Sequence, residues 1–291
     1  MGDLPRTLSR TEHPRLCMTL LVKDEEEMIE WNLLFHKSMG VDFFIVTDNN
    51  STDNTPVILE KYCRKGWILE VINEKESGYE QKAWVDRMVW IAKNKYHADW
   101  VINADADEFW YAPSGSLRQE LEQTSANVLC CNVKSMYPQE GVPFWEWQEA
   151  VRPVAEASAF DLSVYSIFER QNPKVMHRTS GYLQISMGNH KVTMWPKRQQ
   201  PSHTCVYHFN VRGRERFILK MTNGGKELLT HKGRHGGRHW RYFYKLYQEG
   251  QLNEEYDRVI GTAHLEELRR NNYLYPDNTL SAYFKTHIIR P

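Results

Sequence analysis

The 291-residue sequence has no surplus of charge: 37 Lys and Arg balance 37 Asp and Glu. Binding nucleic acid through its phosphates requires a cationic excess, so the balance argues against a general nucleic-acid binder. Long apolar runs are missing too. Stretches such as Leu20 to Val22 and Phe43 to Val46 are far too short to cross a bilayer. The opening residues 1–15, MGDLPRTLSRTEHPR, lack the apolar segment of a signal peptide and read as a polar leader on a cytosolic protein. Cysteine is scarce. Cys17, Cys63, Cys130, Cys131 and Cys205 form no CxxC pair and are odd in number, which favours buried thiols over disulfides or a zinc site. Internal repeats and low-complexity tracts are absent. What is plentiful is aromatic: 10 Trp and 15 Tyr, crowded in FWEW at 144–147 and HWRYFYKLY at 239–247. Such rings stack on sugars or bases in some proteins, but for any single one a core or interface position is the simpler expectation.

The first hundred residues alternate regularly. Leu16 to Val22 is an apolar run of strand length, followed by Met28, Trp31, Phe35 and Met39 at helical steps of three and four. Gly40 stops that helix. Phe43 to Thr47 reads as a second strand. Thr55 then caps, and Pro56 opens, a helix reaching about Arg64. Trp67 to Ile72 is a third strand, Val85, Met88, Ala92 and Tyr96 stripe a third helix, and Trp100 to Asn103 is a fourth strand. Strand and helix alternating at this spacing predict right-handed βαβ units on a mostly parallel sheet, hence an α/β fold. Beyond Asp107 the pattern loosens into an α+β extension. The pattern predicts short helices at Ser116 to Gln123 and Arg214 to Lys226, a longer one from Asn253 to Arg270, and strands at Asn127 to Val133, Leu183 to Met187, Lys191 to Trp195 and Cys205 to Phe209.

Open parallel sheets bind ligands outside the carboxyl ends of their strands. Polar and acidic groups follow all four strands here: Lys23, Asp24 and Glu25; Asp48, Asn49, Asn50, Ser51 and Asp53; Asn73 and Glu74; Asp105, Asp107 and Glu108. Turns alone would be served as well by Gly, Pro and Ser, so the carboxylates point to a cation or a hydroxyl-rich ligand. The sharpest element is NADADEF at 103–109. In extended chain Asp105 and Asp107 face the same side, and without a counter-charge one of the two would take a proton. A hard divalent ion resolves the repulsion, since Mg²⁺ and Mn²⁺ favour carboxylate, phosphate and water oxygens.

These segments, LLVKDEEEMIEWNLLFHKSMGVDFFIVTDNNSTDNT followed by DWVINADADEF, resemble family-2 type glycosyltransferases of the GT-A fold. The resemblance is to the subgroup with Lys-Asn-Glu, Glu-Trp with a nearby His, Asp-Asn-x-Ser-x-Asp and Asp-x-Asp-Glu-Phe. It covers residues 16–110 and continues more loosely through GNHKV and VYHFNVRGRERFILK at 188–220, with Asp24 standing where the subgroup commonly has Asn. The resemblance implies sugar transfer from a nucleotide-sugar donor, UDP-linked, to a glycan or lipid-linked glycan acceptor in surface polysaccharide synthesis. It implies a catalytic domain at 16–220, with a nucleotide-sugar half at 16–110 and an acceptor half at 111–220, and a basic, aromatic helical extension at 221–291. Lys23, Glu25, Asp48, Asn49, Ser51 and Asp53 would hold the nucleoside, and Gln81 occupies a position the subgroup often fills with Gln. Asp105 and Asp107 would bind Mn²⁺ or Mg²⁺, with a further ligand from His190 or His208. Arg212, Arg214 and Arg216 would meet the phosphates.

An inverting transfer also needs a carboxylate base, for which Asp161, Glu169, Glu146 and Glu149 are candidates that spacing does not separate. The basic stretch HKGRHGGRHWRYFYK at 231–245 reads either as a solvated segment or as one that closes over a diphosphate or docks peripherally on anionic lipid. Rival classes fit less well. A haloacid-dehalogenase-type phosphohydrolase carries its Asp-x-Asp after the first strand, and a nucleotidyltransferase usually shows a Gly-rich loop there, whereas Val22 to Glu27 contains no glycine. A non-catalytic carbohydrate-binding protein would have no need of both carboxylates.

Overall fold

A computed structural model describes residues 13–74, 81–230 and 237–289; the leader up to residue 12 and the basic stretch 231–236 lie outside these. The chain opens with β1 (Leu16–Val22), whose alternating side chains enter two different cores. Leu16, Met18, Leu20 and Val22 join one apolar cluster, while Cys17 and the partly buried Leu21 join another. A strand apolar on both faces must be covered on both. Helix α1 (Ile29–Ser38) contributes Leu33 and Phe35 to the first core. After β2 (Phe43–Asp48), α2 (Thr55–Arg64) lays Leu59 and Tyr62 on that same face. Following β3 (Ile68–Asn73), α3 (Gln81–Asn94) covers the opposite face with Val85, Met88, Val89 and Ala92.

Next come β4 (Trp100–Asp105), β5 (Glu108–Tyr111), α4 (Leu117–Gln123), β6 (Val128–Met136), β7 (Glu149–Val151) and β8 (Lys174–Arg178). A small hairpin pairs β9 (Tyr182–Ile185) with β10 (Val192–Met194), before the long β11 (Gln199–His208). The helices α5 (Arg214–Thr230), α6 (Arg238–Gln248), α7 (Leu252–Ile260) and α8 (Leu265–Arg270), the edge strand β12 (Leu274–Pro276) and α9 (Thr279–Tyr283) follow. The main sheet runs β12-β7-β6-β8-β4-β1-β2-β3, with β11 joined to both β5 and β6. Its β3-β2-β1-β4 half is parallel throughout, as the strand and helix alternation predicts. Beyond β4 the pairing is mixed: β8 is antiparallel to β4 and β6, and β11 is parallel to β6.

Two differences from the sequence expectation have simple causes. The helix expected over Asn253 to Arg270 is two helices, α7 and α8, because Gly261 takes φ +69° and a short 3₁₀ turn intervenes. The strands β5, β7, β8 and β12 were not anticipated; three of them are only three or four residues long or lie in the stretch without period. The FWEW cluster is core: Phe144 and Trp147 are buried and Trp145 stacks on Trp31 at 4.2 Å. All five cysteines are free, with Cys17 and Cys131 buried. Among the described residues no helix is long and apolar enough to cross a membrane.

Candidate active site

Strand register brings the acidic loops to one edge. Val22 pairs with Asp48, Leu21 with Asp105, and Asp48 with Asn73, so the chain leaves β1, β2 and β4 side by side. Two of these loops are knitted together. Asp48 Oδ1 accepts from the Ser51 hydroxyl (2.5 Å) and amide (3.1 Å), and Ser51 Oγ accepts from the Asp24 amide (2.9 Å). Asp53 accepts from the Glu26 amide (3.0 Å) and, through its other oxygen, from the Thr55 amide (2.9 Å). Asp24 sits at φ +52°, a conformation Asp and Asn tolerate better than most other side chains. Asp48, Ser51 and Asp53 therefore shape the loops, while Lys23, Glu25 and Asn49 line the cleft they surround.

That cleft encloses about 490 Å³ between the strand edge, the segment 165–174, the 3₁₀ turn at 187–189 and α5. Asp105 and Asp107 lie on its wall. The loop carrying them is pinned from behind by Asn32, whose amide donates to the carbonyls of Ala106 and Glu108, both at 3.0 Å. Asn32 is in turn held by His36. The His36 Nε2 accepts the Trp110 amide (3.0 Å), so Nδ1 carries the hydrogen and donates to the Asn32 oxygens at 2.9 Å. The Phe209 amide donates to the Asp107 carbonyl (2.9 Å), which ties the end of β11 to the same loop.

The electrostatics are those of a matched set of buried ions. Asp107 is 2% exposed. Burial alone would raise its pKa, yet Lys220 Nζ at 3.0 Å and His208 Nε2 at 3.5 Å outweigh burial and hold it well below the carboxylate range. Lys174, only 6% exposed, lies 2.6 Å from Glu108 and 3.4 Å from Asp105. Burial would strip its proton, but the two carboxylates reverse that and raise its pKa. Arg212 pairs with Glu25 at 2.8 Å, with Arg216 3.9 Å from the same oxygen. Burial pushes the Glu25 carboxyl upward against Arg212. Glu25, Asp105, Asp107 and Glu108 thus face Lys174, Arg212, Arg216 and Lys220. The sequence pattern places Glu108 among the acidic groups of this edge but gives no role to Lys174 or Lys220. For Lys220 a signal existed, since Arg212, Arg216 and Lys220 recur every four residues into α5 and so share one face. A lone lysine at the start of β8 offered none.

The remaining candidates divide. His208 points at Asp107, and its buried Nδ1 has no hydrogen-bond partner. His190 also lines the cleft and hydrogen-bonds through Nδ1 to the Pro173 carbonyl (3.1 Å). Its turn needs glycine at 188, where φ is +71° and a Cβ would come within 2.8 Å of the His190 ring. Gln81 is buried, with Oε1 3.4 Å from the Gly188 amide, and does not line the cleft. Of the four carboxylates considered as base, Glu169 alone lines the cleft. Asp161 is 78% exposed and pairs with Arg258, Glu149 is held by Arg269, and Glu146 is exposed outside the cleft. Arg214 turns away to Asp257 (2.6 Å).

The donor types suit a small, hard divalent ion, with two carboxylates on the cleft wall and an imidazole nitrogen 3.5 Å from one of them, and an ammonium lies against each carboxylate. Among the described residues no three His, Cys, Asp or Glu side chains are gathered closely enough to hold an ion by themselves. Phosphate and water oxygens would have to complete the coordination.

A sheet-edge cleft of this kind, with paired carboxylates and a row of cations, is the setting in which family membership becomes informative. The chain belongs to glycosyltransferase family 92, whose model matches residues 15–269. A family 92 protein of Ricinus communis is 23% identical over 124 residues, a stretch covering 40% of this chain and 21% of that protein. Similar solved structures include S. aureus TarS residues 1–349 in complex with UDP (15% identity, 87% of this chain and 74% of that chain, TM-score 0.44). Another is the mannosyltransferase PcManGT from Pyrobaculum calidifontis in complex with GDP-Man and Mn²⁺ (15% identity, 89% and 76%, TM-score 0.42).

Proposed function

We propose that the protein is a metal-dependent hexosyltransferase. It moves a sugar from a UDP-linked donor to a hydroxyl of a glycan or glycoconjugate acceptor, in the building of a surface polysaccharide. The observation that carries this reading is the convergence of Asp105, Asp107 and the cations Lys174, Arg212, Arg216 and Lys220 on one cleft at the carboxyl edge of the parallel strands. Lys23 and Asn49 contact the nucleoside on walls shaped by Asp48, Ser51 and Asp53. Asp105, Asp107 and His208 would hold Mn²⁺ or Mg²⁺, which when bound supplies positive charge to the departing phosphate. Arg212, Arg216 and Lys220 supply the protein's own share of that charge.

In an inverting transfer the bond between the anomeric carbon and the diphosphate oxygen breaks, and its electron pair leaves with the diphosphate. The acceptor oxygen bonds to the same carbon from the opposite side, and its proton passes to Glu169. Burial raises the Glu169 pKa, which moves it toward the range useful for a base. The donor half is 16–110, the acceptor half 111–220, and 221–291 forms the extension.

The test is a thermal-shift series with UDP, GDP and UDP-sugars, with and without Mn²⁺. A ligand present at a hundred times its Kd stabilises by about 2.7 kcal/mol. A uridine nucleotide is expected to raise Tm only with metal present, and Asp107→Ala to abolish the shift. A shift that ignores metal, or none with any nucleotide, would refute the mechanism.

A further inference from the structure

The carboxylates of the Asp105 and Asp107 pair are already engaged. Asp107 Oδ2 lies 3.0 Å from Lys220 Nζ, its Oδ1 lies 3.5 Å from His208, and Asp105 Oδ2 lies 3.4 Å from Lys174 Nζ. A bare divalent ion entering here meets ammonium charge on both sides, and among the described residues no three His, Cys, Asp or Glu side chains are gathered closely enough to hold it. The two lysines differ in freedom. Lys174 is 6% exposed and locked on Glu108 at 2.6 Å. Lys220 is 37% exposed, projects from α5, and among the described residues pairs with Asp107. Arg212 and Arg216 do not substitute for it, being engaged with Glu25 and, for Arg216, the Asp24 carbonyl.

We propose that Lys220 is a resident counter-cation that excludes free divalent metal from Asp107, and that it moves to the diphosphate when metal and nucleotide arrive together. Lys220 thus makes metal and nucleotide binding mutually dependent. The physical reason is charge balance. A nucleoside diphosphate brings negative oxygens that accept the Lys220 ammonium at the moment the ion takes over the carboxylate, so neither cation is left uncompensated. Metal alone offers Lys220 no new partner. The proposal rests on the transferase reading for the identity of the anion, but its central term, competition between Lys220 and metal for Asp107, is read without nucleotide.

Mn²⁺ binding to the full chain, followed by the electron paramagnetic resonance signal of the free ion, tests it in wild type, K220M, K220R and D107N. With Mn²⁺ alone, wild type and K220R are expected to bind weakly, K220M at least about tenfold more tightly, and D107N no better than wild type. Added UDP should tighten Mn²⁺ binding steeply in wild type and by a smaller factor in K220M. K220Q, which removes the same charge, carries the comparison should K220M lose its fold. Mn²⁺ affinity in K220M and K220Q no greater than in wild type overturns the proposal. A wild type whose Mn²⁺ affinity ignores UDP and GDP, while K220M still binds the bare ion more tightly, leaves the competition standing and overturns the donor assignment instead.

Discussion

Acidification should loosen the acidic loop from behind, through His36. This ring is wholly buried, accepts the Trp110 amide at Nε2 and donates from Nδ1 to Asn32, so a second proton would point N–H at N–H. Burial depresses its pKa to about 3, with the Asn32 carbonyl opposing. The unfolded chain takes the proton near pH 6.5. Below that value the unfolded state holds more protons than the native one, so stability is full above pH 6.5 and drains away toward pH 3. Between pH 7.5 and 4.5 the loss from His36 alone is about 2.7 kcal/mol. His177 is built the same way: Nε2 accepts from Asn103 (3.1 Å), Nδ1 donates to the Arg178 carbonyl, and burial lowers its pKa to about 4. It drains stability over the same interval. Urea unfolding at pH 7.5 and 4.5 should therefore show H36Q losing about 2.7 kcal/mol less than wild type, since Gln does not titrate. Equal losses in the two proteins would refute the reasoning, as would an NMR titration placing the native His36 pKa above 5.

Other consequences follow from particular contacts. Asn32→Ala leaves the buried Ala106 and Glu108 carbonyls without their donor and should cost about 2–4 kcal/mol in chemical unfolding, with turnover falling as the acidic loop loses its support. Lys134→Met strands Asp277, which is 7% exposed and 2.8 Å from the lysine; a loss of about 2–3 kcal/mol is expected, and Asp277→Asn in the same background should recover part of it. In Gly225→Ala the new Cβ would stand 2.3 Å from Tyr244 Cβ, where α5 crosses α6, so a penalty of about 1–3 kcal/mol should appear as a lowered Tm.

The parallel half of the sheet and the edge that bears the site were legible in one dimension. Apolar runs of strand length alternating with helix stripes leave few arrangements open, and loops following parallel strands must emerge together. That is why Asp105, Asp107, Lys23, Glu25 and Asn49 meet where the pattern predicts. Within the same motif Asp48, Ser51 and Asp53 turned out to bond their own loops, a distinction invisible to spacing because Asp and Ser serve turns and ligands with the same atoms. Glu169 and Asp161 looked equivalent; only the packing of 157–168 against α7 sent one into the cleft and the other to Arg258.

Local sequence, then, determined the elements, their order and the edge at which chemistry gathers, because those depend on periodicity and on neighbours along the chain. The tertiary structure alone decided the charge state of that edge. Lys174 reaches Asp105 across 69 residues and Lys220 reaches Asp107 across 113, and Coulomb forces act over ångströms in space whatever the separation in sequence.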